Sequence, residues 1–304
     1  MHEREDPLHI LVIGKEGQVA RALSERASAH GATVTLIGRP LLDLADPSGV
    51  GDVLAEASGD VIVNAAAYTA VDQAEAEPDL AEAVNGIGAG AAAGAAAAMN
   101  VPFVHISTDY VFDGNADRPY REDDPVSPLG AYGRSKLLGE RAVAAAHPDH
   151  AILRTSWIYS PFGKNFVKTM LRLARDRDEV SVVADQLGSP TSAHDIADGI
   201  VTVCRNLLTR PAHSPLRGIF HMSASGSATW AEFAAAIFAE SAELGGPNAR
   251  VIPISTADYP TPARRPANSR LASEKIAAIH GVTLPEWRVS LTPCIRRLLD
   301  EGSF

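Results

Sequence analysis

The chain has 304 residues, a formal net charge of −10 and a hydrophobic fraction of 46%. This length can bury a large core, and the composition excludes an intrinsically disordered chain. The acidic balance argues against nucleic acid as a partner, and no apolar stretch reaches the ~20 residues of a membrane helix, so a membrane is not expected as a partner either.

The cysteines and the first residues indicate a reducing compartment. Cys204 and Cys294 are the only cysteines, and they lack the spacing of a metal site. The opening segment, MHEREDP, is charged and has no apolar signal core. We therefore expect a soluble enzyme of the cytoplasm.

A strand, a glycine turn and a helix are predicted at the start of the chain. The apolar run Leu8–Ile13 precedes GKEGQVA, and a helix-like stretch covers residues 21–30. Glycines at the end of a strand let backbone N–H groups approach a pyrophosphate without obstruction by Cβ atoms. An ordinary strand–turn–helix unit has the same pattern. The cofactor hypothesis assigns this role to Gly14, Gly17, Gln18 and Val19.

The second strand, Ala32–Ile37, ends where dinucleotide sites select their cofactor. Arg39 follows this strand, and an arginine there suits the 2′-phosphate of NADP, whereas an acidic residue suits NAD. We expect NADP, with NAD as the alternative if Arg39 is an ordinary exposed loop residue. Asp43 and Leu44 are expected to flank the adenine.

A third buried strand, residues 60–64, is followed by small side chains. Such residues would let the cofactor pass close to the protein backbone, although a tight turn would also use them. The residues assigned to this contact are Ala65, Ala66, Ala67, Tyr68 and Thr69. The next helix, residues 78–99, contains several glycines, so we expect contacts with the sheet or with another subunit to hold it.

The fourth strand, residues 101–106, brings Thr108 and Asp109 to the edge of the sheet where ligands bind. A predicted helix, residues 129–146, then carries Tyr132 and Lys136 on one face. A lysine ammonium beside a phenol favours the phenolate, and a pKa change from ~10 to ~7 corresponds to roughly 4 kcal/mol. Chance gives roughly 0.1 such pairs in a chain of this composition, and an ordinary surface pair is the alternative.

The alternation of strands and helices predicts an α/β fold with a doubly wound parallel sheet of the Rossmann type. After a strand at residues 151–155 the pattern changes to a helix at 165–175, a strand at 180–184, a helix through 206, a strand near 218–222 and irregular linkers. We therefore divide the chain into a dinucleotide-binding domain, residues 1–160, and a smaller substrate-binding lobe, residues 161–304, partly interleaved with it.

Eight motifs carry a resemblance to a known family. In chain order they are GKEGQV, VNAAAYTAVDQAEAEP, STDYVFDG, SPLGAYGRSKLLGE, RTSWIYS, NFVKTMLRLA, DQLGSPT and TPARRPANSRL. The chain resembles the dTDP-4-dehydrorhamnose reductases, within the extended short-chain dehydrogenase/reductases, from about residue 8 to residue 300. Several motifs occur across the superfamily, whereas the arginine-containing block together with STDYVF and RTSW is specific to the family.

The resemblance implies reduction of the C4 ketone of dTDP-4-dehydro-6-deoxy-L-mannose to dTDP-L-rhamnose. It implies that Tyr132 donates the proton, that Lys136 binds the nicotinamide ribose, and that Thr108 bonds to the carbonyl oxygen. The substrate contacts that it implies are Asp109, Trp157, Arg264, Arg265 and Arg270, with Asn165, Gln186 and Asn268 as further candidates. Core packing of Trp157 and an exposed basic loop for the arginines are the alternatives.

Other outcomes stay open at this level. A homodimer is expected from the family, but a divalent metal is doubtful because His194 stands where an acidic residue would be expected. The substrate could be another dTDP-4-keto-6-deoxysugar. A non-catalytic regulatory subunit, like that of methionine adenosyltransferase, is the alternative from a different class, and the presence of Thr108, Tyr132 and Lys136 favours an enzyme.

Overall fold

A computed structural model describes residues 7–209 and 214–304 of the chain. The strands are β1 (Leu8–Ile13), β2 (Ala32–Ile37), β3 (Val61–Asn64), β4 (Phe103–Thr108), β5 (His150–Thr155), β6 (Ile158–Tyr159), β7 (Glu179–Val183), β8 (Leu187–Gly188), β9 (Thr191–Ser192), β10 (Gly218–His221), β11 (Ala228–Thr229) and β12 (Arg250–Ile254). The α-helices are α1 (Gln18–Arg26), α2 (Val50–Ala57), α3 (Pro78–Glu82), α4 (Ala89–Ala98), α5 (Ala131–Ala146), α6 (Phe166–Leu173), α7 (Ala193–Thr209), α8 (Trp230–Glu243), α9 (Glu274–His280) and α10 (Trp287–Glu301).

The central sheet of the described residues has six parallel strands in the order β2–β1–β3–β4–β5–β10. The chain moves outward in one direction from β1 to β2 and in the other from β3 to β10. Such a reversal opens a crevice at the carboxyl ends of the strands on either side of it. The predicted doubly wound parallel sheet of the Rossmann type is confirmed.

Helices cover both faces of this sheet. Apolar side chains of α1 and α7 pack on one face, and those of α2, α4 and α5 pack on the other. A π-helical segment, Ala83–Gly88, joins α3 directly to α4, so the predicted helix at 78–99 is present as one continuous helical stretch over residues 78–98. A Cβ atom on Gly88 would lie 2.2 Å from the Leu44 carbonyl oxygen, which shows how closely this segment approaches the preceding loop.

The lobe has its own apolar core, formed by α6, α8 and α10 with β7, which pairs with β12. The expectation of irregular linkers after the strand near 218–222 is wrong, because α8, α9 and α10 all follow it. Thr229 and Glu232 form a capping box at the start of α8, a signal that the sequence contains. Since β10 pairs with β5, the two parts share the central sheet, and the division at residue 160 stays a prediction.

None of the helices within residues 7–209 and 214–304 combines the length and apolar character that crossing a membrane requires.

Candidate active site

Two adjoining cavities form a groove along the carboxyl ends of the central strands. One has a volume of about 710 Å³ and the other about 530 Å³. Both are lined by Gly17 of the glycine turn and by the small residues after β3, which are Ala65, Ala66 and Ala67. The groove therefore lies where the order of the strands reverses, the position at which such sheets bind nucleotides.

The glycine turn after β1 leaves room for another backbone segment or a ligand to approach closely. Gly14 has φ 120°, and a Cβ atom there would lie 3.2 Å from the Ala66 nitrogen. Gly17 precedes α1, and no capping side chain occupies the first-turn N–H groups of this helix. Gly17, Gln18 and Val19 line the larger cavity, and Gly14 lines the smaller one. These residues therefore fit a dinucleotide, because exposed N–H groups at a helix N-terminus suit a pyrophosphate.

The side chain of Gln18 has a second role that the sequence did not indicate. Its Oε1 atom accepts hydrogen bonds from Ser160 Oγ at 2.7 Å and from Asn165 Nδ2 at 3.1 Å. Its Nε2 atom donates to the Ile158 carbonyl at 3.4 Å. Gln18 thus connects the glycine turn, through hydrogen bonds, to the segment 158–165 at the start of the lobe. Asn165 lines the groove and also caps α6 by accepting from the Lys168 N–H group at 3.2 Å.

The smaller cavity contains the residues predicted for the adenosine end of the cofactor. Arg39 is exposed at its margin, and Leu44 is buried in its wall. Asp43 Oδ1 accepts from the Ala45 N–H group at 3.0 Å, and Tyr68 donates its hydroxyl hydrogen to Glu77 at 2.7 Å. Thr69 lines both cavities. The structure therefore places every residue predicted to contact the cofactor along this one groove.

The predicted proton-transfer residues lie together in the larger cavity. Thr108, at the end of β4, donates to Asp109 Oδ1 at 3.0 Å and lines the larger cavity together with Tyr132. The ring of Tyr110 packs edge-on against that of Tyr132, with ring centres 5.9 Å apart. Lys136, one turn along α5, is buried and lines the same cavity.

Burial sets the proton affinities of this pair. It raises the pKa of Tyr132 to about 12, although the neighbouring Thr108 acts in the opposite direction. It lowers the pKa of Lys136 to about 8, against the attraction of Glu140, which raises it. The expectation that Lys136 brings the phenol pKa towards ~7 is therefore not met. Tyr132 keeps its proton at neutral pH, which is the form that a proton donor needs.

Trp157 forms an aromatic wall at the lobe side of the groove. Its backbone has φ 44°, and its ring stacks on that of Trp230 at 3.5 Å with an interplanar angle of 5°. A Cβ atom on Gly188 would lie 2.2 Å from the Trp157 ring, so the glycine makes room for it. Trp157 lines the groove as predicted, and Trp230 beside it was not predicted.

The three predicted arginines lie in different places. Arg265 lines a neighbouring cavity of about 330 Å³, which also contains Gln186 and shares Trp230 with the groove. Its guanidinium bonds to both carboxylate oxygens of Asp72, at 3.1 and 2.8 Å. Arg264 is exposed. Arg270 lines a separate cavity and donates to the Asp117 carbonyl at 2.8 Å, so the structure does not bring it to the groove.

Comparison with known proteins identifies relatives of this chain. Residues 8–299 match the family described as RmlD substrate binding domain. The dTDP-4-dehydrorhamnose reductase of Sinorhizobium fredii is 52% identical over 97% of this chain and 99% of its own length. That of Escherichia coli K12 is 41% identical over 97% and 98%. The chain belongs to the dTDP-4-dehydrorhamnose reductase family.

Solved structures of this family have the same fold. The reductase of Clostridium acetobutylicum has a TM-score of 0.88 and 37% identity, covering 96% of this chain and all of its own. The reductase of Bacillus anthracis, in complex with NADP, also has a TM-score of 0.88, with 36% identity over 96% of this chain and 99% of its own. The resemblance inferred from the motifs is therefore confirmed.

An ion pair between Glu25 and Arg297 lies beside His194 in this reductase. His194 Nε2 lies 3.2 Å from Glu25 Oε1, and Arg297 contacts the same carboxylate at 2.7 Å. Across residues 7–209 and 214–304, no group of three or more His, Cys, Asp or Glu side chains is arranged to hold a metal ion.

Several residues that line the cavities of this reductase were not predicted from its sequence. Thr155 lines the groove, and its buried hydroxyl has no hydrogen-bond partner among the described residues. Phe166 and Trp230 line both the groove and the cavity of Arg265. Thr155 belongs to the RTSW motif, which could have identified it. Asn268, by contrast, is buried and donates to the carbonyls of Ala116 and Arg118, both at 2.8 Å, so its contacts hold a loop.

Proposed function

We propose that this protein reduces the C4 ketone of dTDP-4-dehydro-6-deoxy-L-mannose to dTDP-L-rhamnose, with NADPH as the reductant. The observation that supports it most directly is the cluster of Thr108, Tyr132 and Lys136 in a groove built for a dinucleotide. When bound, NADPH supplies a hydride to the ketone carbon. Negative charge then gathers on the ketone oxygen, and a positioned acid must deliver a proton to it.

Tyr132 is the proton donor in this proposal. Its phenol is neutral at working pH, because burial raises its pKa to about 12. Thr108 lines the same cavity as the phenol and would bond to the same ketone oxygen. Lys136 lies one turn further along α5 and would bind the nicotinamide ribose. The alkoxide that forms on the sugar is a stronger base than a phenolate, so transfer from Tyr132 is downhill.

The two ends of the groove support the choice of ligands. Arg39 would meet the 2′-phosphate of NADPH, which favours NADPH over NADH. Arg265 would meet the diphosphate of the sugar nucleotide, since its cavity adjoins the groove at Phe166 and Trp230. Asp109 and Trp157 would then contact the sugar.

The decisive experiment is the replacement Tyr132→Phe. Loss of general acid catalysis should lower kcat by about 10²- to 10⁴-fold. NADPH oxidation would be followed with the enzymatically prepared 4-keto sugar nucleotide. Tyr120→Phe is a matched control, because its hydroxyl bonds to Asp113 at 2.7 Å and lies outside the groove. Undiminished turnover by Tyr132→Phe would overturn the mechanism.

The same assay separates the remaining alternatives. NMR of the product distinguishes rhamnose from another 6-deoxysugar, and absence of turnover by the wild-type protein would favour a regulatory subunit. A homodimer also stays a prediction, supported by the exposed side chains of Ile87 and Leu138 on neighbouring helical segments. Light scattering would test it. Localisation in the cytoplasm is likewise a prediction.

A further inference from the structure

The groove crosses the carboxyl ends of five neighbouring strands. Arg39, at one end of the groove, follows β2, and the glycine turn follows β1. Residues 65–67 follow β3, and Thr108 and Thr155 are the last residues of β4 and β5. Neighbouring strands lie about 4.8 Å apart, so four spacings separate β2 from β5 by roughly 19 Å. An extended dinucleotide with its adenosine at β2 therefore has its nicotinamide at β4 and β5.

Thr155 lies at this nicotinamide end of the groove. The strand register places it directly beside Thr108, the residue proposed to bond to the ketone oxygen. Tyr132 and Lys136 line the same cavity. Hydride transfer needs the reacting atoms to lie about 3–3.5 Å apart, so the nicotinamide ring has to bind close to the ketone and to these residues. Thr155 therefore belongs to the part of the cavity that receives the ring.

The hydroxyl group of Thr155 has no role in holding the fold together. Thr155 is 4% exposed, and its hydroxyl has no hydrogen-bond partner in the part of the chain that the structure describes. Neighbouring hydroxyls of the same cavity differ in this respect. Ser107 donates to Glu140 at 2.6 Å, and Ser156 donates to the Ser189 carbonyl at 2.9 Å. Because a buried polar group without a partner is costly, an unpaired hydroxyl in the wall of a cavity points to a ligand.

We propose that the Thr155 hydroxyl binds the carboxamide group of the nicotinamide ring. This assignment rests on the proposed function, which makes NADPH the ligand of the groove. A carboxamide has a carbonyl acceptor and an NH₂ donor, and a hydroxyl can donate to the first or accept from the second. The contact would fix the rotation of the ring about its bond to the ribose. Thr155 is thus a cofactor-binding residue that determines which face of the ring is turned towards the ketone.

The sugar of the substrate is the other group that could approach this part of the cavity. Its proposed contacts lie on the side of the lobe. Trp157 stacks on Trp230 of α8, and the cavity of Arg265 adjoins the groove at Phe166 and Trp230. Thr155, by contrast, belongs to the central sheet and is buried at the strand end. The dinucleotide crosses the strand ends, so its carboxamide is the better match for this hydroxyl.

Calorimetric titration with two ligands tests this contact without any turnover. One ligand is NADPH, and the other is 2′-phospho-ADP-ribose, which has the same adenosine and pyrophosphate groups but no nicotinamide. Thr155→Val replaces the hydroxyl by a methyl group of similar size. It should raise Kd for NADPH about 3- to 10-fold, the effect of one lost hydrogen bond, and leave Kd for 2′-phospho-ADP-ribose unchanged. Thr155→Ser keeps the hydroxyl and should bind NADPH like the wild-type protein.

Thr191→Val is the matched control for Thr155→Val. Thr191 is a buried threonine outside the groove, and its hydroxyl donates to the Ser189 carbonyl at 3.0 Å and accepts from the Ala224 N–H group at 3.2 Å. Its replacement should lower the free energy of unfolding in urea and leave the ratio of the two dissociation constants unchanged. Thr155→Val should not lower the free energy of unfolding, because the folded protein loses no hydrogen bond.

Several results would overturn the assignment of Thr155. Equal weakening of both ligands by Thr155→Val, or no weakening of either, would show that the hydroxyl does not meet the nicotinamide. A higher KM for the sugar nucleotide with an unchanged Kd for NADPH would assign the hydroxyl to the sugar. Equal effects of Thr155→Ser and Thr155→Val would show that the hydroxyl makes no contribution. Absence of turnover by the wild-type protein, together with the expected difference in binding, would refute the proposed function and support this contact.

Discussion

Asp109 is a buried carboxyl group whose replacement by asparagine should stabilise the protein in a pH-dependent manner. Its Oδ1 atom accepts from Thr108, and its Oδ2 atom is buried without a hydrogen-bond partner among the described residues. Burial raises the pKa of Asp109 to about 7, although the neighbouring Ser269 and Thr108 act in the opposite direction. The folded protein therefore disfavours the charged form.

The size of the effect follows from the difference in pKa between the two states. An aspartate in the unfolded chain has a pKa of about 3.9, so a folded value near 7 corresponds to at most roughly 4 kcal/mol. The cost is absent below the unfolded pKa, grows as the pH rises, and is complete above the folded pKa. The amide of the Asp109→Asn variant cannot ionise, and it keeps the acceptor for Thr108. The advantage of the variant should grow from about zero near pH 4 to a few kcal/mol at about pH 8.

Urea unfolding of both proteins at about pH 4.5 and about pH 8 measures this difference. Asp113→Asn is a suitable control, because the hydroxyl of Tyr120 holds the pKa of Asp113 below its usual value. The effect of that control should be nearly the same at the two pH values, because both lie above the unfolded pKa of about 3.9. An advantage of Asp109→Asn that is equal at the two pH values would show that ionisation of Asp109 carries no cost.

Other replacements test other parts of the site. Glu140→Gln removes the charged partner of the buried Arg154 guanidinium. In urea titrations it should lower the free energy of unfolding by about 3–5 kcal/mol. A loss below about 1 kcal/mol would show that this pair is not important for stability. Arg39→Ala should raise KM for NADPH while leaving KM for NADH unchanged, and equal efficiency of the wild-type protein with both cofactors would refute the role of Arg39. Gly188→Ala should displace the Trp157 ring, visible as a change in tryptophan fluorescence, and raise KM for the sugar nucleotide, whereas NADPH affinity should be retained.

Local patterns predicted the groove well. The glycine turn and the small residues after β3 follow directly from strands, and Thr108 is the last residue of β4. The carboxyl ends of parallel strands meet at one edge of the sheet. The spacing of Tyr132 and Lys136 within one helix fixes their common face in the same way. These positions depend on short segments, so the sequence was sufficient to locate them.

Contacts across the lobe were harder to predict. Arg264, Arg265 and Arg270 lie in one motif, but its backbone is mostly irregular, so no helical or strand period indicates which side chain reaches the groove. The partner of Trp157 is Trp230, 73 positions away along the chain. Gln18 likewise meets Ser160 from a separate segment. Such pairs form only when the lobe packs on the sheet.

The charge of Lys136 shows why composition and spacing cannot replace the packed structure. From its spacing to Tyr132, a lysine ammonium that stabilises a phenolate was the natural expectation. Strand register adds what spacing cannot show, because it places Asn64 of β3 directly opposite His105 of β4, and α5 packs Lys136 against that histidine. Burial in this position lowers the pKa of Lys136 to about 8. The proton affinity of this lysine is therefore set by strands that are distant from it along the chain, which its spacing to Tyr132 could not show.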